Sequence, residues 1–219
     1  MAERLLCPST MCIDFLNLKD DVQALEEAGV DMFHNDIMDG SFVPNITLGI
    51  NDVKAIRACT GKPIDVHLMI ENPGSKVDWF IDAGADIVYI HPESERYVVK
   101  TLTHIRERGK KAGIAVNPDT SVDTISEMLH CCDYVMVMTV NPGFAGQKYI
   151  EFCTEKVKRL AALKEKFGYK LMIDGSCSPE RIEELSRAGA DGFVLGTSAL
   201  FGKGRPYREI IPELRGESR

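Results

Sequence analysis

Short runs of apolar residues, many of them β-branched, alternate along the chain with segments whose apolar positions recur at helical spacing. Eight such runs predict β-strands near 5–9, 31–37, 63–69, 86–91, 112–116, 133–138, 169–174 and 192–196. The amphipathic segments between them predict helices, for example over 18–28, 75–83, 97–108 and 178–188. Runs that are apolar at nearly every position are typical of a parallel sheet covered on both faces.

One phrase recurs where the even-numbered strands begin. It reads AGVD from Ala28 and AGAD from Ala83 and from Ala188. A less similar copy, HCCD, begins at His130. The copies are about 50 residues apart, which gives room for two strands and two helices. Eight strand–helix units predict an α/β fold of one domain over residues 1–219, a single (β/α)8 TIM barrel. An open doubly wound sheet is the alternative, but no G-x-G-x-x-G follows the first strand to favour it.

Composition and charge narrow the range of partners. The net charge is -7 and no Lys/Arg block appears, which argues against a nucleic-acid partner. No apolar run approaches the roughly 20 residues that a membrane span requires, and the N-terminus lacks the apolar stretch of a signal peptide. The seven cysteines form no C-x-x-C pair and are expected to be reduced thiols of a cytoplasmic protein. We also expect a symmetric homo-oligomer.

Imidazoles and carboxylates stand at the ends of three predicted strands. His34 and Asp36 are two residues apart and therefore point to the same face of the second strand. His67 lies on the third strand and Asp174 ends the seventh. Two imidazoles and two carboxylates suit one divalent cation such as Zn²⁺, Mn²⁺, Fe²⁺ or Co²⁺, so these four residues are the predicted ligands. The alternative for each histidine is a buried core residue without a metal.

Other side chains near these strand ends have more than one interpretation each. His91 is a weaker ligand candidate, and followed by Pro92 it is expected to line the pocket mouth. Asp65 shares a strand face with His67 and is expected to support that ligand, to form an ordinary ion pair or to be solvated. The methionines at these strand ends either fill the core or wall the pocket: Met38, Met69 and Met138.

Glycine-bearing loops follow the last three predicted strands. Glycines let backbone N–H groups approach an anion, and the loops after strands 7 and 8 of a TIM barrel often bind phosphate together with a short extra helix. TSALF at 197–201 is the candidate for that helix. The alternative is three tight turns without a ligand. The predicted phosphate-binding residues are Gly143, Phe144, Ala145, Gly146, Gly175, Ser176, Gly196, Thr197 and Ser198.

Other activities of phosphate-binding barrels need residues that the strand ends do not supply. A Schiff-base aldolase needs a lysine there, and none of the eight predicted strands ends in one. A decarboxylase with a charged Asp/Lys array would need the same missing lysines. A non-catalytic sugar-phosphate-binding barrel would need only the glycine loops, and this alternative stays open.

Several longer motifs resemble a known family. HNDIMDGSFVPNITLG, DVHLMIENP, VMTVNPGFAGQ, IDGSC and GTSALF resemble the ribulose-phosphate 3-epimerase family in order and spacing over nearly the whole chain. The resemblance implies a metal-dependent TIM-barrel isomerase that epimerises a ketose phosphate at C3. By position it implies that His34, Asp36, His67 and Asp174 are metal ligands, that the two aspartates are the acid–base pair working through an enediolate, and that Ser9 and His67 bind substrate with the glycine loops.

Some motifs look closer to one branch of this family. PSTMCID, HPE, MTVNPGFAGQ, DGSC and GTSALF resemble the D-allulose 6-phosphate 3-epimerases. This resemblance implies interconversion of D-allulose 6-phosphate and D-fructose 6-phosphate, with D-ribulose 5-phosphate to D-xylulose 5-phosphate as the alternative. Two positions depart from the family pattern, which usually has apolar residues there: Thr10 and Asn35.

Overall fold

Eight parallel strands form the centre of the molecule in a computed structural model that describes residues 4–217. Their order in the sheet is β1-β8-β7-β6-β5-β4-β3-β2. The sheet closes between its two ends, where Asp31 N donates to Leu6 O at 3.0 Å and Ser9 bridges to His34. The predicted TIM barrel is therefore confirmed. The strands are β1 (Leu5–Pro8), β2 (Phe33–Met38), β3 (Ile64–Met69), β4 (Ile87–Ile90), β5 (Lys111–Val116), β6 (Tyr134–Met138), β7 (Lys170–Asp174) and β8 (Gly192–Leu195).

Helices connect the strands on the outside of the barrel. They are α1 (Leu18–Glu27), α2 (Ile50–Cys59), α3 (Val77–Ala83), α4 (Val98–Glu107), α5 (Cys153–Phe167), α6 (Pro179–Arg187) and α7 (Tyr207–Arg215). The connection from β5 to β6 differs, since its helical part is a 3-10 helix over Met128–Cys131. The helix predicted over 197–201 is wrong: residues 197–202 form turns. Within residues 4–217, no helix is long and apolar enough to cross a membrane.

The aspartate of the recurring phrase fastens neighbouring strands together at the N-terminal end of the barrel. In each copy the aspartate N–H donates to the backbone O of one residue on the preceding odd-numbered strand, and its carboxylate accepts from the N–H of that same residue. A lysine or arginine pairs with each carboxylate. The repeat is therefore structural. The four pairs are Asp31 with Leu6, Asp86 with Ile64, Asp133 with Ala112, and Asp191 with Leu171.

Buried apolar side chains form two layers because successive strand residues point to opposite sides of the sheet. The larger layer lies between the strands and the helices, and includes Val88 and Ile90 of β4. The smaller layer fills the barrel interior and includes Ile87 and Tyr89 of the same strand. Methionines such as Met172 are prominent in this interior. The packed interior leaves the C-terminal end of the barrel as the place where polar side chains meet.

Candidate active site

The four predicted ligand residues meet at the C-terminal end of the barrel. One nitrogen or oxygen atom from each of His34, Asp36, His67 and Asp174 lies within 4.8 Å of all the others. Asp36 Oδ1 lies 3.3 Å from His34 Nε2 and 3.5 Å from His67 Nδ1. Asp174 Oδ2 lies 3.5 Å from His67 Nδ1 and 4.0 Å from His34 Nε2. Strand pairing explains half of this arrangement, since Asp36 and His67 are direct neighbours in the register of β2 and β3.

The donor atoms of this cluster fit a divalent cation. His34 Nε2 and His67 Nδ1 are buried and make no hydrogen bond within the described residues. A buried polar atom without a partner is costly in a protein interior, so two such atoms facing the same carboxylates need an explanation. Two imidazole nitrogens with two carboxylates are a common ligand set for a borderline divalent metal ion. The side chains present therefore match the predicted metal centre.

The electrostatics of the cluster favour a positive charge between the carboxylates. Burial alone would lower the pKa of His34, but the Asp65 and Asp36 carboxylates raise it well above its usual value. Burial alone would likewise lower the pKa of His67, which Asp174 and Asp36 raise. The pKa of Asp36 moves the other way: burial would raise it, but the two imidazoles hold it well below its usual range. Asp36 is therefore ionised in the folded protein.

Hydroxyl groups hold Asp36 in place. Ser9 Oγ donates to Asp36 Oδ2 at 2.5 Å, and Thr47 Oγ1 donates to the Asp36 backbone O at 2.5 Å. Ser9, expected at the substrate, thus orients an acidic side chain as well as lining the cavity beside it. A carboxylate that accepts such a hydrogen bond is stabilised in its charged form.

Asp65 and His91 support the two histidines differently from the expectation. Asp65 Oδ1 lies 2.6 Å from His34 Nδ1, so the proposed support of His67 by Asp65 is wrong in its partner. The partner of His67 is His91, with the two Nε2 atoms 2.8 Å apart. His91 is fully buried and does not belong to the cavity lining, so its expected place at the pocket mouth is also wrong. Burial lowers the pKa of His91 to about 4.

A cavity next to Asp36 and Asp174 collects the predicted phosphate-binding loops. Every predicted substrate-binding residue lines it except His67, which is buried among the ligand residues. Met38, Met69 and Met138 also line it, as expected for pocket walls, whereas Met172 belongs to the barrel interior. The lining residues that carry the sequence predictions are Ser9, Gly143, Phe144, Ala145, Gly146, Asp174, Gly175, Ser176, Gly196, Thr197 and Ser198.

The sequence predictions missed several of the lining residues, among them Met11 and Cys12. These two lie in the short 3-10 helix after β1, where the sequence shows no pattern that marks a pocket. Burial raises the pKa of the Cys12 thiol to about 11, so this thiol is neutral and is not an activated nucleophile. No lysine lines this cavity, which also removes the amine that a Schiff-base mechanism needs.

Comparison with known proteins decides the family. The ribulose-phosphate 3-epimerase family model matches residues 5–201. The chain belongs to this family. It is 43% identical over 201 residues to ribulose-phosphate 3-epimerase of Aquifex aeolicus (strain VF5), covering 91% of this chain and 90% of the relative. The enzyme of that name from Bacillus subtilis (strain 168) is 40% identical over 214 residues, covering 96% of this chain and 98% of the relative.

Solved structures with the same barrel are more distant. 3-Hexulose-6-phosphate synthase superposes with a TM-score of 0.69 at 16% identity, with 100% of both chains covered. The tryptophan synthase A-subunit of Pyrococcus furiosus gives a TM-score of 0.71 at 16% identity, covering 99% of this chain and 100% of that chain. These likenesses show the fold alone, whereas family membership makes the chain an isomerase of the carbohydrate epimerase class.

The two departures from the family pattern are hydrogen-bonded to each other. Thr10 Oγ1 donates to Asn35 Oδ1 at 2.8 Å, and both residues are fully buried. Asn35 Nδ2 donates to Asp65 O at 2.8 Å, and Thr10 Oγ1 also lies 3.1 Å from His34 O. Asn35 points to the other side of β2 from His34 and Asp36 because it lies between them. The pair thus forms a buried polar contact behind the site without adding a polar group to the cavity.

Proposed function

We propose that this enzyme interconverts D-ribulose 5-phosphate and D-xylulose 5-phosphate by epimerisation at C3. The observation that carries the proposal is the meeting of Asp36 and Asp174 with two imidazoles beside a cavity lined by three glycine-bearing loops. The relatives that are 40% to 43% identical and match over nearly the full length are named for ribulose phosphate, which supports that substrate. They give no support to the D-allulose 6-phosphate specificity expected from the sequence motifs.

Family membership also bears on the alternative of a non-catalytic sugar-phosphate-binding barrel. Such a protein needs the glycine loops but has no use for two carboxylates and two imidazoles at the cavity floor. The cluster and the family together favour an enzyme.

The phosphate group binds at the loops that follow β6, β7 and β8. Loop 143–146 is tied to the loop after β2, because Asn45 Nδ2 donates to Gly143 O at 2.7 Å. Gly175 has a φ of 114°, and Thr139 Oγ1 donates to its carbonyl oxygen. Remote binding of a non-reacting phosphate fixes the position of C3 relative to the carboxylates, which is how such groups contribute to rate.

Two carboxylates then exchange the C3 proton. Asp36 and Asp174 come from β2 and β7, which are separated by β1 and β8 on one side and by four strands on the other. The substrate lies between them. One carboxylate removes the C3 proton, the electron pair moves toward the C2 carbonyl to give an enediolate, and the other side chain returns a proton to the opposite face of C3. The stereocentre inverts without an external oxidant or reductant.

His34, Asp36, His67 and Asp174 would hold one divalent cation, Zn²⁺, Mn²⁺, Fe²⁺ or Co²⁺, at this site. When bound, it supplies Lewis-acid stabilisation of the negative charge that builds up on the substrate oxygens. Asp36 is ionised and held by Ser9. Ser9 keeps Asp36 directed at C3 while the proton moves.

Comparing two sugars tests the proposed substrate. We expect kcat/KM of the purified, metal-analysed enzyme to be larger for D-ribulose 5-phosphate than for D-allulose 6-phosphate. A reversed preference would restore the specificity expected from the motifs and reject the proposed substrate while keeping the reaction. Absence of turnover with both would reject the epimerase activity.

The cytoplasmic location and the homo-oligomeric state stay predictions from the sequence.

A further inference from the structure

His67 has two ring nitrogens with different neighbours. Nδ1 faces Asp36 Oδ1 and Asp174 Oδ2, each 3.5 Å away. Nε2 lies 2.8 Å from Nε2 of His91, a hydrogen-bond distance. A hydrogen bond between two ring nitrogens needs one proton, so one imidazole donates and the other accepts. Which one donates decides whether His67 Nδ1 carries a proton or a free electron pair.

Glu93 decides the direction of this hydrogen bond. Its Oε2 lies 3.3 Å from His91 Nδ1. An ionised carboxylate only accepts hydrogen bonds, so the proton of His91 belongs on Nδ1. The Nε2 atom of His91 then has a free electron pair and accepts from His67 Nε2. In turn, His67 Nδ1 would keep its electron pair for a cation bound beside the Asp36 and Asp174 carboxylates.

Glu93 and His91 are both held firmly enough to impose this arrangement. Glu93 Oε1 accepts from the backbone N–H of Asn117 at 3.0 Å and from the hydroxyl of Thr120. His91 is fully buried and meets His67 edge to edge, with ring centroids 4.9 Å apart and planes 27° apart. The Phe42 ring also packs against His91, at 4.8 Å between centroids. The His91 ring therefore has little room to turn away.

We propose that His91 and Glu93 are positioning residues that fix the proton of His67 on Nε2 and so make its Nδ1 a metal ligand. This inference rests on the proposed metal role of His67. Outer partners of ligand histidines commonly fix the tautomer and the ring orientation in this way. With His91 and Glu93, the proposed metal centre has six residues instead of four. Both added residues lie in the H-P-E segment that directly follows β4.

The two candidate ligand histidines are supported differently. His34 contacts the Asp65 carboxylate directly, whereas His67 is connected to the Glu93 carboxylate through the His91 ring. His34 Nδ1 lies 2.6 Å from Asp65, so three buried or nearly buried carboxylates already surround the two histidines: Asp36, Asp65 and Asp174. A fourth carboxylate in direct contact with His67 would add like charge at short range. Because the neutral His91 ring lies between Glu93 and His67, the Glu93 carboxylate does not contact His67. Its hydrogen bond to His91 still determines which nitrogen of His67 carries the proton.

Metal affinity of three variants tests the proposal. His91→Leu removes the acceptor for His67 Nε2–H, and we expect the Kd for Zn²⁺, measured by chelator competition, to rise about 10–100-fold. His91→Gln offers a carbonyl oxygen in the same region and should recover most of that loss. Ser94→Ala is the matched control, because Ser94 Oγ bonds the His91 backbone O at 3.3 Å without touching the ring. An unchanged Zn²⁺ affinity in His91→Leu would overturn the proposal.

A spectroscopic measurement on the unaltered, zinc-loaded protein gives the answer even if His91→Leu does not fold. Nitrogen NMR should place the proton of His91 on Nδ1 and the proton of His67 on Nε2. A His91 ring protonated on Nε2 overturns this inference while leaving the metal centre and the epimerase reaction in place. Failure of the unaltered protein to bind zinc at these residues would instead overturn the metal centre together with the inference.

Discussion

Three aspartates lie around the two histidines, and their neighbours give them different properties. Asp65 is fully buried, and burial raises its pKa. Asp36 is also buried, but the imidazoles lower its pKa and Ser9 donates to it. The Asp174 side chain is 15% exposed, the most open of the three. Asp36 and Asp174 both line the cavity, and Asp174 is the one that a bound substrate reaches more easily.

Replacing Asp174 by Asn tests the acid–base role. The amide keeps the size of the side chain but neither accepts the C3 proton nor carries the negative charge. We expect kcat to fall by at least the roughly 10²–10⁴-fold typical of losing a general acid–base group. Thermal unfolding of the metal-free proteins should be nearly unchanged, because the amide keeps the size of the side chain and the nearest imidazole nitrogen lies 3.5 Å from the carboxylate. Full activity in Asp174→Asn would show that the two-carboxylate scheme is wrong.

At the scale of strands and loops, the register of the barrel explains which side chains meet. His34 is the direct neighbour of Asp65 in the pairing of β2 with β3, and Asp36 is the neighbour of His67. The sequence places all four residues on the correct strands but does not give the register, so Asp65 could not be assigned to His34.

The predicted helix over 197–201 failed for a local reason. Leu200 N does bond Gly196 O at 3.0 Å, but the turn is not continued.

The hydrogen bond between Thr10, in the 3-10 helix after β1, and Asn35 of β2 should show energetic coupling. Thr10→Val leaves the buried Asn35 Oδ1 without its donor, and we expect a loss of about 1–3 kcal/mol in the free energy of unfolding. Asn35→Leu should cost a similar amount. The double variant makes both positions apolar and should lose less than the sum, with a coupling of about 0.5–3 kcal/mol in denaturant unfolding. Strictly additive losses would mean that the two side chains do not stabilise each other.

The turn after β7 gives a test of the phosphate-binding loops. A Cβ on Gly175 would lie 2.9 Å from Val140 N at a φ of 114°, so Gly175→Ala must shift the turn that lines the cavity. Gly168, at the end of α5, also has a positive φ but has nothing within 4 Å of the added atom. We expect both alanine variants to lose stability, but only Gly175→Ala to raise KM for the sugar phosphate. An equal KM in the two variants would place the phosphate elsewhere.

At the scale of the whole molecule, the sequence predicts the fold more completely than it predicts the contacts within the site. The strand runs, the glycines before them and the recurring aspartates are local signals, and the closed barrel follows from their number and order. The meeting of the four candidate ligand residues could be predicted because strand ends converge in this fold. The contact between His67 and His91 could not, since it depends on how two neighbouring strands are staggered and on ring orientation.

Removal of the metal should affect both activity and stability. A chelator is expected to abolish turnover, and added Mn²⁺ or Zn²⁺ to restore it. The cation would again stabilise the negative charge that develops on the substrate oxygens. A metal that binds only the folded state also raises the melting temperature with its concentration. Elemental analysis of the treated protein is the control. Unchanged turnover in protein shown to be free of metal would contradict the assigned centre.

Turnover of D-ribulose 5-phosphate in D₂O, followed by proton NMR, tests the central claim most directly. Two carboxylates that exchange protons with solvent on opposite faces of C3 predict D-xylulose 5-phosphate carrying deuterium at C3, formed only by metal-loaded protein and not by Asp174→Asn. Product that retains the original C3 hydrogen would contradict proton exchange through these two side chains.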